Sequence, residues 1–341
     1  MESKDIQVPA YMQARADAMQ KRCDAIAQQA ADHWRHDDDL GVYAYQLTIQ
    51  TLSRVWVHEH SAIKWMNGGL VNKDTSLDAG AVHGAYTEIN RIGRAKIVEN
   101  GATDIPLATI SGRNNPFDFK TVKIGIEYTR QDIRTARLQA QQGRMNFDIV
   151  AQKVAAAREG HDRTLNDFLR SGVPATRLYG MTNAPGIFKA SAVNGDWAND
   201  ATTATQILDD FRAAYETQID ATDEIEAPTS VVMPIDVMQS LMHKRTNPGF
   251  NSDSVLDTLK KLYPGIGRWE SEPGMRTAGE GGAKGLLMYR NEASRLSAQF
   301  PLIMSPEPPR TDGGVTRLSW ETRFGGIIVP RPRSVFLLSG V

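Results

Sequence analysis

The stretch Phe117-Asp-Phe-Lys-Thr-Val-Lys-Ile-Gly-Ile-Glu-Tyr128 decides how the rest of this chain is read. Val122, Ile124, Ile126 and Tyr128 alternate with Lys123, Gly125 and Glu127, the period-two pattern of a strand with one buried face. Thr129 is placed as a helix N-cap, with Asp132 three positions on completing a variant of the capping box. After Gly143, Asn146 can cap a second helix that runs to Arg170 and is closed by Ser171-Gly172 and Pro174. Its apolar stripe is Phe147, Val150, Val154, Ala157, His161, Leu165 and Phe168, recurring every three or four residues. At about 1.5 Å per residue such a helix spans roughly 40 Å, enough to cross a domain. It carries no catalytic motif and reads as a girder.

Outward from this core, residues 8–35 predict a helix with Met12, Ala16, Met19, Cys23, Ile26 and Ala30 on one stripe. The polar run His36-Asp-Asp-Asp39 ends it, and a second helix is expected over Tyr43 to His58. Residues 80–115 scatter Tyr86, Ile89, Ile92, Ile97, Ile105 and Leu107 among Gly84, Gly93, Gly101, Pro106 and Gly112. That is too little apolar content for a core strand pair and too much β-branched content for disorder. The expected form is a long extended β-hairpin or loop stabilised by something outside its own domain, with an ordinary surface hairpin as the alternative.

Beyond Gly186 the pattern turns α/β. Thr203 and Gln206 form a capping box for a helix bearing Ile207, Phe211 and Ala214. Ser230-Val-Val-Met233 is a short apolar strand, and Pro234 opens the next helix. Val255, Leu256, Leu259 and Leu262 form a further helical stripe before Pro264-Gly265. Gly285-Leu-Leu-Met-Tyr289 is strand-like, while Pro301 to Pro309 is too proline-rich for a central strand. Arg317 to Phe324 alternates, Gly326-Ile-Ile-Val329 and Ser334-Val-Phe-Leu-Leu338 are apolar, and these strands at the far end of the chain can complete the sheet begun at residues 117–128.

Composition narrows the function classes. The chain has 341 residues, 41% hydrophobic and 23% charged, with a formal net charge of −1. It is globular, long enough for one to three domains, and lacks a global basic field for wrapping nucleic acid. The single Cys23 suits a reducing compartment. No signal-peptide pattern opens the sequence, and no run approaches 18 apolar residues. The loop Gly279-Glu-Gly-Gly-Ala-Lys-Gly285 lacks the Gly-Lys-Ser/Thr ending of a phosphate loop and precedes a strand rather than a helix. His58-Glu59-His60 and His33-x-x-His36 offer too few ligands for zinc. No nucleophile elbow is present, and no cofactor or metal site is expected.

The order of elements carries a resemblance. A strand ending in Tyr128-Thr129-Arg130-Gln131-Asp132, a long helix ending in Leu165-Asn166-Asp167-Phe168-Leu169-Arg170-Ser171-Gly172, and the turn Leu178-Tyr179-Gly180-Met181-Thr182-Asn183 resemble the spine-helix core of tailed-phage major capsid proteins. Arg177 stands where that family commonly has Gly. The resemblance covers roughly residues 80–341 and implies an α+β Hong Kong phage-type capsid fold, shared with encapsulin shells. It implies an N-terminal helical arm over 1–80 and an extended E-loop over 81–115. A peripheral domain with the spine helix would follow over 116–200, then an axial α/β domain over 201–315 and returning strands over 316–341.

It further implies a non-enzymatic virion subunit, assembled in the host bacterial cytoplasm into pentamers and hexamers around double-stranded DNA. The DNA would be enclosed rather than specifically bound, and no membrane would be involved. Scaffolding, portal and decoration proteins are the partners such shells use. The E-loop residues Tyr86, Ile89, Ile92, Arg94, Lys96, Ile97, Ile105 and Leu107 would then form a subunit interface. Some such shells cross-link a loop Lys to a neighbour's Asn, but nothing in the sequence pairs Lys96 with one. The alternatives are an encapsulin-like compartment shell and a soluble α/β enzyme with an unrecognised site.

Overall fold

The structure, a computed structural model, describes residues 18–24, 61–97, 105–141, 149–246 and 252–341. Residues 18–24 are helical and exposed, with Cys23 at the surface. The helix expected over 43–58, the Asn146 cap, Phe147 and both histidine clusters lie outside the described residues.

The 117–128 stretch divides between two strands. Phe117 and Asp118 end β3 (Thr109–Asp118), which pairs with β2 (His83–Ile92); β4 (Lys120–Thr129) begins two residues later. Within β4 the alternation holds, with Val122, Ile124 and Ile126 turned inward and Thr121, Lys123, Gly125 and Glu127 exposed. Thr129 and Asp132 cap α1 (Arg130–Gln141) reciprocally: the Asp132 amide donates to Thr129 Oγ1 at 3.1 Å, and the Thr129 amide to Asp132 Oδ2 at 3.0 Å.

The girder is α2 (Ile149–Ser171), 23 residues and unbroken through Gly160. Ala157, His161, Leu165, Asn166 and Leu169 are buried on it, while Val150 and Val154 are only half-buried. Gly172, at φ 58°, ends it. The Met181 amide donates to Leu169 O at 2.9 Å and the Thr182 amide to Arg170 O at 2.9 Å, so the 178–183 turn satisfies the last helical carbonyls. A β-carbon on Gly180 would lie 2.5 Å from Gly172 N, which explains the small residues there. Arg177 itself adopts φ 58°, the left-handed conformation that glycine takes without strain. Asn166 Oδ1 accepts from the Trp65 and Met66 amides at 2.8 and 3.3 Å, pinning the short helix Lys64–Asn67 to the girder.

β4 pairs along its whole length with β12 (Val315–Phe324), antiparallel, from Thr129↔Val315 to Lys120↔Phe324. The opposite edge of β12 carries β10 (Leu302–Pro306) and β11 (Arg310–Asp312), so the proline-rich segment lies at a sheet edge. The remaining C-terminal strand corrects the expected topology. β14 (Val335–Ser339) does not return to β4. It sits inside a five-stranded sheet of order β5-β14-β8-β6-β7, with β5 Phe188–Ser191, β6 Ser230–Met233, β7 Arg268–Ser271 and β8 Gly285–Tyr289.

The three inner strands of that sheet are buried at every residue, and alternate residues join two cores. Val232, Leu287, Tyr289, Val335 and Leu337 face Leu165, Leu169 and Trp65. Val231, Leu286, Met288, Phe336 and Leu338 face Ile207, Phe211, Val237 and Leu259. Those four come from α3 (Ala204–Asp220), capped by the Thr203 side chain, α4 (Ile235–His243), which follows Pro234, and α5 (Val255–Leu262), capped by the Ser254 side chain. A strand covered on both faces reads as a continuous apolar run, as these do. Each fully buried leucine contributes about 1.5–3 kcal/mol. A small third sheet joins β1 (Lys73–Asp74), β9 (Ser297–Gln299) and β13 (Ile327–Ile328).

Candidate assembly surface

β2 and β3 pair with each other and with no other described strand. Their register is uniform, from His83↔Asp118 to Ile92↔Thr109. Ten residues at about 3.3 Å each give a ribbon of roughly 33 Å before the tip. Both outer edges leave backbone donors and acceptors unpaired among the described residues, which is what pairing with another chain requires.

The root of the ribbon is anchored by aromatic rings lying on glycines. Tyr86 and Phe117 lie 6.5 Å apart, and Phe117 meets Phe119 edge-on at 5.3 Å. A β-carbon on Gly84 would lie 2.4 Å from Phe117 Cζ, and one on Gly325 would lie 2.7 Å from Phe119. The Phe119 amide donates to Val82 O at 3.1 Å, and Arg323 donates to Ala79 O. His83 Nδ1 and Asp118 Oδ1 are 2.7 Å apart, a contact that leads the causes holding the Asp118 carboxyl below its usual range, with Lys120 and Arg177 adding to it. Burial pushes the Tyr86 phenol up, helped by Glu88.

Past Glu88 and Arg113 every described residue of the ribbon is exposed. Ile89, Ile92, Ile97, Ile105 and Leu107 are all exposed, Leu107 at 89%. Arg94 and Lys96 are exposed between them. Of the residues expected to form an interface, only Tyr86 is half-buried, at the root. Directly paired residues share a face, so Ile89, opposite Gly112, lies on the same face as Ile110, opposite Arg91. Ile110, itself 69% exposed, was not singled out in the sequence, nor were Phe117 and Phe119 as ring anchors.

Elsewhere, the Gly279–Gly285 loop exposes Glu280–Gly282 and leads into β8. Lys284 is held between Asp196 and Asp236, each at 2.9 Å, which is a structural role for the one cation of that loop. Among the described residues no group of His, Cys, Asp or Glu is disposed to hold a metal ion, and no helix is long and apolar enough to cross a membrane.

The family model for the major capsid protein matches residues 93–341. Among solved structures, the capsid of Myoviridae phage XM1 superposes with a TM-score of 0.74 at 16% identity, covering 87% of this chain and 98% of that one. Mycobacterium phage Adephagia gives 0.58 at 13% identity, covering 87% and 96%. A virus-like particle from Pyrococcus furiosus gives 0.51 at 10%, covering 81% and 95%. No curated protein matches significantly. With most of its length matched by the family model and its spine, ribbon and two-core sheet arranged as in phage capsid subunits, the chain belongs to the major capsid protein family and has the α+β Hong Kong phage-type capsid fold.

Proposed function

We propose that this chain assembles with copies of itself into pentamers and hexamers of an icosahedral shell that encloses double-stranded DNA in a tailed-phage virion. The observation that carries this reading is the ribbon: with its tip it presents six large apolar side chains, Ile89, Ile92, Ile97, Ile105, Leu107 and Ile110, and two open edges to solvent. An isolated two-stranded ribbon is marginal in water, so a chain that keeps one buries it elsewhere. Ile89, Ile92, Arg94, Lys96, Ile97, Ile105 and Leu107 contact a neighbouring subunit, while Tyr86 sets the root. Residues 1–80 act as an arm, 81–115 as the E-loop, 116–200 as the peripheral domain, 201–315 as the axial domain and 316–341 as the closing strands. The Gly279–Gly285 loop points toward a capsomer axis. Many modest contacts, each weak alone, add through multivalency.

The role is structural rather than enzymatic, with assembly in the bacterial host's cytoplasm and with scaffolding, portal and decoration proteins as further partners. The encapsulin-like reading is disfavoured by the family match, and the enzyme reading has no site behind it among the described residues. Deleting residues 90–105 and closing the gap with a short Gly-Ser link tests the ribbon's part. The expected result is a folded subunit by circular dichroism that forms no shells by negative-stain microscopy. Shells of normal size from the deletion variant would overturn the ribbon's role.

A further inference from the structure

Between the root of the ribbon and the body lies a cleft of about 460 Å³. Its floor is apolar, formed by Ile327, Ile328 and Val329, and Arg113 from the ribbon and Arg177 from the spine turn line it. Neither arginine makes a salt bridge among the described residues, although Arg177 lies near enough to Asp118 to help hold that carboxyl below its usual range. The one carboxylate in the cleft, Asp118, already has His83 and Lys120 as partners. The cleft therefore combines an apolar floor with a mixed polar lining in which two guanidiniums outnumber one carboxylate.

On the neighbouring surface stands a knuckle of opposite character, Asp223-Glu224-Ile225. All three residues are exposed, and neither acid makes an ion pair among the described residues. Asp223 and Glu224 hold φ of 51° and 62°, a costly conformation for two successive non-glycine residues. The surroundings enforce it. The Glu224 amide donates to Ile219 O at 3.0 Å, Arg333 to Ala221 O at 2.8 Å and Arg290 to Ile225 O at 3.0 Å. The next residue, Glu226, is buried and clasped by Arg331 at 2.8 Å and Arg295 at 3.0 Å. The knuckle is thus a rigid projection with two carboxylates and one apolar side chain.

Pro332 borders both the cleft and the hollow beside the knuckle. Two complementary patches so close together on one rigid body cannot meet within a chain. They suit a self-complementary two-fold contact, in which each copy gives and receives the same group. Resting on the reading of this chain as a shell subunit, we propose that the Asp223-Glu224-Ile225 knuckle of one copy inserts into the Arg113/Arg177 cleft of a second copy, and reciprocally, as a two-fold contact. Ile225 meets the apolar floor, and the two carboxylates meet the two guanidiniums.

Charge reversal tests it on the full chain. Asp223→Lys with Glu224→Lys is one variant, and Arg113→Glu with Arg177→Glu the other, each checked for folding by circular dichroism. Each alone opposes like charges and should lower shell yield by roughly tenfold or more, read by sedimentation and negative-stain microscopy. A reciprocal contact makes a further demand: a one-to-one mixture of the two variants pairs opposite charges at both halves and should restore assembly. So should the four substitutions combined in one chain. Should either variant misfold, Asp223→Asn with Glu224→Gln gives the neutral form, expected to weaken assembly and its salt dependence. Normal assembly of the single-patch variants, or no rescue by the mixture and the combined chain, overturns the contact. Wild-type protein that forms no shells under any condition overturns the shell reading instead.

Discussion

Gly160 and Ile124 face one another across the interface between the spine helix and β4: a β-carbon built on Gly160 would meet Ile124 Cδ1 at 3.5 Å. That is an ordinary van der Waals distance, so the glycine is not required by crowding. It is also within an uninterrupted helix.

Gly160→Ala is therefore expected to stabilise the subunit by about 1 kcal/mol, the difference in helix propensity between the two residues. Urea unfolding should show a higher midpoint with an unchanged slope. A loss of stability would mean that the helix–sheet spacing is tighter than 3.5 Å allows.

Gly84 presents the opposite case. Its missing β-carbon leaves room for the Phe117 ring, whose Cζ would lie only 2.4 Å from it. Gly84→Ala should cost about 1–3 kcal/mol by overpacking. Adding Phe117→Leu should recover part of the loss, so a double-mutant cycle from thermal unfolding would return a favourable coupling. Additive effects would show that the ring and the glycine do not share one space.

His161 is buried in the spine, and neither ring nitrogen has a hydrogen-bond partner. Burial pulls its pKa below the ordinary 6.5, with the adjacent Asp162 carboxylate opposing that shift. A histidine that is harder to protonate when folded than when unfolded contributes stability that is full above 6.5 and is lost as pH falls below it. Unfolding free energy should drop between pH 7.5 and 5.5, and His161→Leu should flatten that slope. An unchanged slope in the variant would assign the pH dependence to other groups.

At the start of α3, Thr203 Oγ1 accepts from the Gln206 amide at 3.3 Å, and Gln206 Oε1 accepts from the Thr203 amide at 2.8 Å. Thr203→Ala should cost about 1 kcal/mol, and Thr203→Ser should cost little, because it keeps the oxygen. Helix α3 buries Ile207 and Phe211 against the five-stranded sheet, so the loss should appear in global unfolding rather than local fraying.

Local chemistry was legible in the sequence. Both reciprocal caps, the strand Ser230–Met233 and the continuous spine follow from residues within a few positions of one another. The edge position of residues 302–306 followed from proline. Partner choice was not legible. The apolar alternation slips phase by one residue between Phe119 and Val122, and the chain changes pairing partner there, between Asp118 and Lys120; the slip marks a break, but period alone records a face and never a neighbour. Val335 to Leu338 announced a strand covered on both faces, but which of two sheets would receive it depended on residues some fifty and a hundred and fifty positions away, in β8 and β5. The ribbon was legible for the converse reason: apolar residues without any periodic closure signalled a surface completed from outside. Its aromatic root was missed because Gly84 and Gly325 are 241 positions apart and meet the same ring only after folding.

The place of β14 between β5 and β8 has a consequence for synthesis. Translation delivers β5, β6, β7 and β8 long before the strand that joins β5 to the rest. A nascent chain halted anywhere before Val335 leaves the facing edges of β5 and β8 bare and both hydrophobic cores without Phe336, Leu337 and Leu338. Such a fragment cannot complete the wall between its two halves and exposes strand edges that recruit other chains indiscriminately. Building the subunit around its late strand thus ties completion of both cores to translation through Ser339, so that copies halted before Val335 cannot present a finished subunit.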